Sequence, residues 1–169
     1  LSALIFALIL LGSVAQPVAA QTTSNGHLVR GSGPSIYWIT NDGSRYVFPD
    51  VTTYYTWFAD FKNVKHVSDA EIQRSPLKGN ATYRPGAKLI KIEGRSEVFA
   101  VSRSNELRLI ANEKVAQEIY GTNWRSYIRF LPESLMKDYR FGKSIIHAWD
   151  YHVASEYHGV KTPSDNIVR

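Results

Sequence analysis

The chain has 169 residues, 44% hydrophobic and 12% aromatic, with a formal net charge of +5 and no cysteine. Without cysteine there are no disulfides, thiolate metal sites or cysteine nucleophiles, and an exported chain without disulfides fits a bacterial exterior better than a small animal scaffold. Lys and Arg are spread from Arg30, Arg45, Lys62 and Lys65 onward with no block of like charge, which argues against a basic stripe and so against a nucleic-acid partner.

Residues 1–20 read as a signal peptide. Ala3 to Leu11 is an unbroken apolar run, Gly12-Ser13 loosens it, and Ala19-Ala20 supplies small residues for cleavage before Gln21. The run is shorter than the roughly 20 apolar residues that cross a bilayer, so export to the envelope or exterior is expected, with no transmembrane anchor in the mature chain. Residues 21–27 are polar and read as a flexible leader.

A first unit, residues 28–88, follows. Leu28 to Arg30 reads as a short strand. Ser35-Ile36-Tyr37-Trp38-Ile39 and Arg45-Tyr46-Val47-Phe48 are rich in β-branched and aromatic residues, and Asn41-Asp42-Gly43 between them is a tight-turn signal, so a β-hairpin is expected. Asp50, Thr52 or Thr53 can cap a helix in which Tyr54, Trp57, Phe58 and Phe61 share one face. Ser68-Asp69-Ala70-Glu71 is a capping box for a second, short helix that Pro76 and Gly79-Asn80 end. A Pro85-Gly86 turn leads into an apolar strand, Lys88 to Ile92.

The pattern then returns over residues 89–145. Leu89-Ile90-Lys91 echoes Leu28-Val29-Arg30, and Val98 to Val101 and Leu107 to Ile110 flank Arg103-Ser104-Asn105. Asn112 caps a helix from Glu113 to Tyr120 that stops at Gly121. Trp124 stands for Phe61, Pro132-Glu133 for Ser68-Asp69, and Phe141-Gly142-Lys143 for Leu77-Lys78-Gly79. Each unit alone has too little core, so two packed together are expected. Residues 146–169 match neither unit and read as a closing segment with a frayed end.

Arg45-Tyr46-Val47-Phe48-Pro49, Thr53 to Phe58, Val67 to Glu71, Thr82-Tyr83-Arg84-Pro85-Gly86 and Lys88 to Lys91 carry a resemblance. Over about residues 28–145 the chain resembles an uncharacterised tandem repeat of exported bacterial proteins, abundant in surface proteins of the candidate phyla radiation. The resemblance implies export and a cell-surface setting and carries over no catalytic residue. The second unit departs from the pattern, with Asn105 where Gly43 stands and Ala111 where Pro49 stands.

Most aromatics read as core, with Tyr37, Phe48, Trp57, Phe61, Phe99 and Trp124 at matching places. Trp38, Tyr46 and Tyr55 each neighbour an inward residue and are the candidates for an outward sugar-binding platform. His147, Asp150, His152 and His158, with Glu156, carry metal-ligand side chains, but their spacing matches no zinc motif, so a metal site there is disfavoured. Asp69 and Glu71 are explained by the helix cap. No nucleotide-binding glycine loop or serine nucleophile motif occurs, and no cofactor is expected.

These readings give an α+β fold of two tandem hairpin-plus-helix (ββα-type) units sharing one aromatic-rich core. The expected function is a non-enzymatic envelope module that binds a glycan or protein partner or serves as a surface scaffold. The alternative is a cell-wall enzyme or accessory protein using the His-rich C-terminal segment.

Overall fold

Each hairpin marked by the sequence becomes the centre of a five-stranded sheet. The computed structural model describes residues 26–167, so the signal-peptide reading and most of the leader lie outside the described residues. In the first unit β1 (His27–Arg30), β2 (Ile36–Ile39) and β3 (Arg45–Val47) form an antiparallel meander. Helix α1 (Val51–Trp57), β4 (Val64–His66), α2 (Asp69–Gln73) and β5 (Leu77–Asn80) follow, giving the strand order β4-β1-β2-β3-β5 with both edges paired parallel. His27 belongs to β1 rather than to the leader.

The second unit repeats this wiring. Strands β6 (Leu89–Ile92), β7 (Val98–Ser102) and β8 (Glu106–Leu109) form the meander, followed by α3 (Glu113–Tyr120), β9 (Ile128–Leu131), a 3-10 helix (Glu133–Asp138) and β10 (Arg140–Phe141). Its order is β10-β8-β7-β6-β9, the first read in reverse, with the same pairing senses. Registers match too. Val47 faces Tyr37 and Leu109 faces Phe99. Three residues after each comes the helix cap: Asp50 accepts from the Thr53 amide and Asn112 from the Val115 amide. Ala81 and Ile145 then donate to the Val47 and Leu109 carbonyls, so the two exits from the sheets are equivalent.

The edge strands were not legible in the sequence. Val64–His66, Leu77–Asn80 and Arg140–Phe141 are short and mostly exposed, and carry little β-branched signal. Helix α1 stops at Trp57, so Phe61 lies beyond it and is exposed, although its ring still stacks on Tyr54 at 4.7 Å.

The expectation of one shared aromatic core is not met. The buried apolar residues divide into four clusters, one on each face of each sheet. Leu28 and Trp38 face α1 with Phe48, Tyr54 and Trp57, whereas Val29 and Ile39 face Ile72 of α2. Leu89 and Ala100 face Val115 and Ala116 of α3, whereas Ile90, Phe99 and Val101 face the Glu133–Asp138 side. Alternate strand residues point to opposite faces, and here both faces are covered.

The units meet at the crossing segment, residues 81–88, where Ala81 packs in the first unit's cluster, Tyr83 in the second's, and polar contacts join the two. Asp138 accepts from the amide and side chain of Asn80 at 3.0 and 2.7 Å, and the Tyr139 hydroxyl accepts from the Tyr83 amide at 3.0 Å. The C-terminal segment, with α4 (Val153–His158), straddles both units. Tyr151 donates to the Val101 carbonyl, Glu156 accepts from the Arg103 amide, Val160 enters the α1 cluster, and Ser164 accepts from the Trp38 indole. Asn166, buried, bonds both Thr82 and Asn105. The segment is thus a brace between the units. No helix of the described residues is long and apolar enough to cross a membrane.

Candidate functional site

The crossing segment is fixed by α1. Trp57 donates its indole N–H to the Thr82 carbonyl at 2.8 Å, and the Thr56 hydroxyl accepts from the Arg84 amide at 3.0 Å. Those bonds use the buried side of α1 and leave Val51, Thr52 and Tyr55 turned away from the core. Arg84 then lies over the Tyr157 ring at 3.7 Å, with the Trp57 ring at 5.6 Å. Its guanidinium donates to the Tyr157 and Val160 carbonyls, which ties α4 to the crossing segment. Gly86 makes this approach possible: it sits at φ +74, and a Cβ there would meet the Val153 carbonyl oxygen at 2.6 Å.

Between these elements opens a groove of about 440 Å³, lined by Val51, Thr52, Tyr55 and Thr56 of α1, by Gly86, Ala87 and Lys88, and by Tyr127 and Tyr157. Clefts beside Asp69 and beside Asp138 are smaller, about 280 Å³ each. Tyr55 is 50% exposed and Tyr127 37% exposed, so both rings offer surface to the groove. Tyr127 is steadied by the Tyr120 ring at 5.3 Å. The Lys88 ammonium lies 6.0 Å from the centre of the Tyr127 ring. Burial, and then the neighbouring Arg129 charge, hold its pKa below the ordinary lysine value. Among the described residues no carboxylate or histidine lines the groove. Flat rings with one cation can hold a ligand by stacking and by a charge-assisted hydrogen bond.

The three residues expected to form one platform are dispersed. Tyr55 lines the groove. Trp38 is only 4% exposed, buried in the α1 cluster with its N–H on Ser164, because a sheet covered on both faces has no outward side. Tyr46, opposite Trp38 across the β2–β3 ladder, is half-buried and borders the separate cleft beside Asp138. Tyr127, Tyr157 and Lys88 escaped the sequence reading, because only the packing of the second unit and of α4 against α1 brings them to Tyr55.

Of the C-terminal candidates, Asp150 and Glu156 do structural work. Asp150 accepts from the amides of His147 and Ile146 at 2.9 and 3.0 Å, and these bonds, the His147 amide foremost, hold its carboxyl below the usual range. The His147 ring stacks on Trp149 at 4.3 Å, while His152 and His158 are exposed at opposite ends of α4. Glu156 is buried against Arg103. Among the described residues no group of three or more His, Cys, Asp or Glu is placed to hold a metal ion. Asp69 does more than its helix position requires, since its carboxylate accepts from the Ser32 amide at 3.0 Å and hydroxyl at 2.6 Å.

Comparison of the chain with protein-family models, with curated proteins and with solved structures finds no match in any of the three.

Proposed function

We propose that this protein is an exported, non-enzymatic module of the bacterial cell envelope, built from a duplicated unit, and that it binds a glycan in the groove between the two units. The observation that carries this reading is the pair of exposed aromatic residues, Tyr55 from the first unit and Tyr127 from the second, that line one cleft. A pyranose presents an apolar face to such rings and hydroxyls to the groups around them, here the Thr52 hydroxyl and the Lys88 ammonium. Braced by α4 and by the bonds from α1, the groove is held open before any ligand arrives, which lowers the ordering cost of binding.

The lining also bears on catalysis. Most glycosidases use two carboxyl groups flanking the scissile bond, and among the described residues none lines this groove. The test is co-sedimentation of the protein with insoluble cell-wall and storage polysaccharides, peptidoglycan included. The expected result is retention by at least one polymer, reduced about tenfold or more by Tyr55→Ala and by Tyr127→Ala, since a stacked ring contributes roughly 1–3 kcal/mol in comparable aromatic platforms. Retention indifferent to both substitutions would remove the groove from the function.

A further inference from the structure

The groove carries a charge signature. Lys88 is drawn partly out of water, and no ion pair reaches it from any described residue. Two more cations stand close without carboxylate partners. Arg129 is near enough to disfavour the Lys88 charge and donates only to the Ser126 and Ile128 carbonyls. Arg84, behind the Tyr157 ring, donates only to the Tyr157 and Val160 carbonyls. Among the described residues that line the groove Lys88 is the one charged side chain, and it stands beside the Tyr127 ring with no carboxylate in the lining.

An ammonium that is partly desolvated interacts with an anion more strongly than one in bulk water. A carboxylate placed against Lys88 would accept a charge-assisted hydrogen bond and offset the repulsion from Arg129. A neutral hydroxyl would do only a little of this.

Resting on the glycan reading above, we propose that the ligand is an acidic saccharide, its uronate carboxylate seated on Lys88 and its sugar rings lying over Tyr55 and Tyr127. The two ring faces select a saccharide over a plain polyanion, and Lys88 selects the acidic sugar over the neutral one.

The experiment is affinity electrophoresis of the protein in gels containing polygalacturonate, alginate or hyaluronate, with methyl-esterified pectin, dextran and polyglutamate as comparisons, at about 0.15 M salt to suppress long-range charge effects. The expected result is retardation by at least one of the three uronate polymers, stronger than by polyglutamate. Lys88→Gln should weaken it about tenfold, whereas Lys114→Gln, an exposed lysine on α3 with the same charge loss, should leave it unchanged. Equal retardation by polyglutamate, or equal loss in both lysine variants, would overturn the proposal in favour of unspecific charge attraction. Binding of neutral polymers that needs Tyr55 and Tyr127 but ignores Lys88 would overturn the acidic class and keep the glycan groove. Retardation by none of the polymers would overturn the proposal, and co-sedimentation then decides the groove reading separately.

Discussion

At the hairpin turn of the first unit Gly43 takes φ +79 with open space where a side chain would stand, and Asp42 closes the turn locally by accepting from the Thr40 hydroxyl and the Ser44 amide. At the equivalent turn of the second unit there is no glycine. Ser104 and Asn105 take φ +60 and +58 themselves, a left-handed conformation that asparagine tolerates better than most residues. Asn105 is also tied in over long range. Its side chain accepts from the Thr82 hydroxyl at 2.7 Å and from Asn166 at 2.6 Å, and its amide donates to Asn166. The first turn is thus a local device. The second is a local device recruited to hold the crossing segment and the C-terminal brace, and that recruitment explains why asparagine serves where the pattern has glycine.

The cores differ in the same way. The α1 cluster is mainly aromatic, with Trp38, Phe48, Tyr54 and Trp57, whereas the two clusters of the second sheet are mainly aliphatic, with Leu89, Ile90, Ile92, Val101, Leu107 and Ile145 fully buried. One wiring diagram accepts both, because the backbone ladders set the topology and the side chains need only fill the space between sheet and helix. The aromatic filling of the first unit puts Trp38, Phe48, Tyr54 and Trp57 inside, and Tyr55, on the exposed side of α1, is left to the groove.

The largest expected effects test whether the two differently filled units fold as one. Tyr54→Ala should cost about 3–5 kcal/mol and Leu89→Ala about 2–5 kcal/mol, both positions being almost fully buried. Because the brace and the crossing segment bond to both units, each variant should lower the same single transition in urea unfolding followed by fluorescence and by circular dichroism. Two separated transitions, one per variant, would show that the units are energetically independent.

Asn105→Gly sharpens the comparison of the turns. Glycine relieves the backbone but removes the oxygen that accepts from both Thr82 and the buried Asn166, so a net loss of about 1–3 kcal/mol is expected. Amide exchange should quicken around residues 160–166 while the β7–β8 hairpin stays protected. A gain in stability with unchanged exchange would mean that the long-range bonds contribute nothing.

The smallest effect at neutral pH, growing at alkaline pH, comes from buried phenols. Burial raises the Tyr54 pKa from 10.0 to about 12, with the Asp60 charge adding to the shift, and burial pushes Tyr120 and Tyr139 of the second unit up as well. A phenol held protonated in the fold contributes stability that is whole below the ordinary value and is lost as pH climbs toward the raised one. The urea midpoint should therefore fall between pH 10 and about 12, and Tyr54→Phe should fall less steeply over that range. An identical slope in the variant would show that Tyr54 ionises as freely folded as unfolded.

Much of each unit was legible in the residues. Asp50 and Asn112 cap the helices expected of them, the Asn41-Asp42-Gly43 turn joins β2 to β3, and Gly121 ends α3. These features depend on contacts between neighbours in the chain, and such contacts are written in local residue order. The site was much less legible. Tyr55 is exposed as its position on the helix predicts, but Trp38 is buried, because its orientation depends on whether the far face of the sheet is covered.

What the sequence determined by itself was the repeated order of strand, turn, strand and capped helix, because hydrophobic period and turn chemistry act over a few residues. What only tertiary structure decided was the set of weak edge strands, the division of the core into four clusters, and the meeting of Tyr55, Lys88, Tyr127 and Tyr157 at one groove. Those outcomes rest on partners far apart in the chain: parallel edge pairing, a brace that spans both units, and a glycine that lets one helix approach. The energy that selects them comes from burial and hydrogen bonds that exist only once both partners are in place.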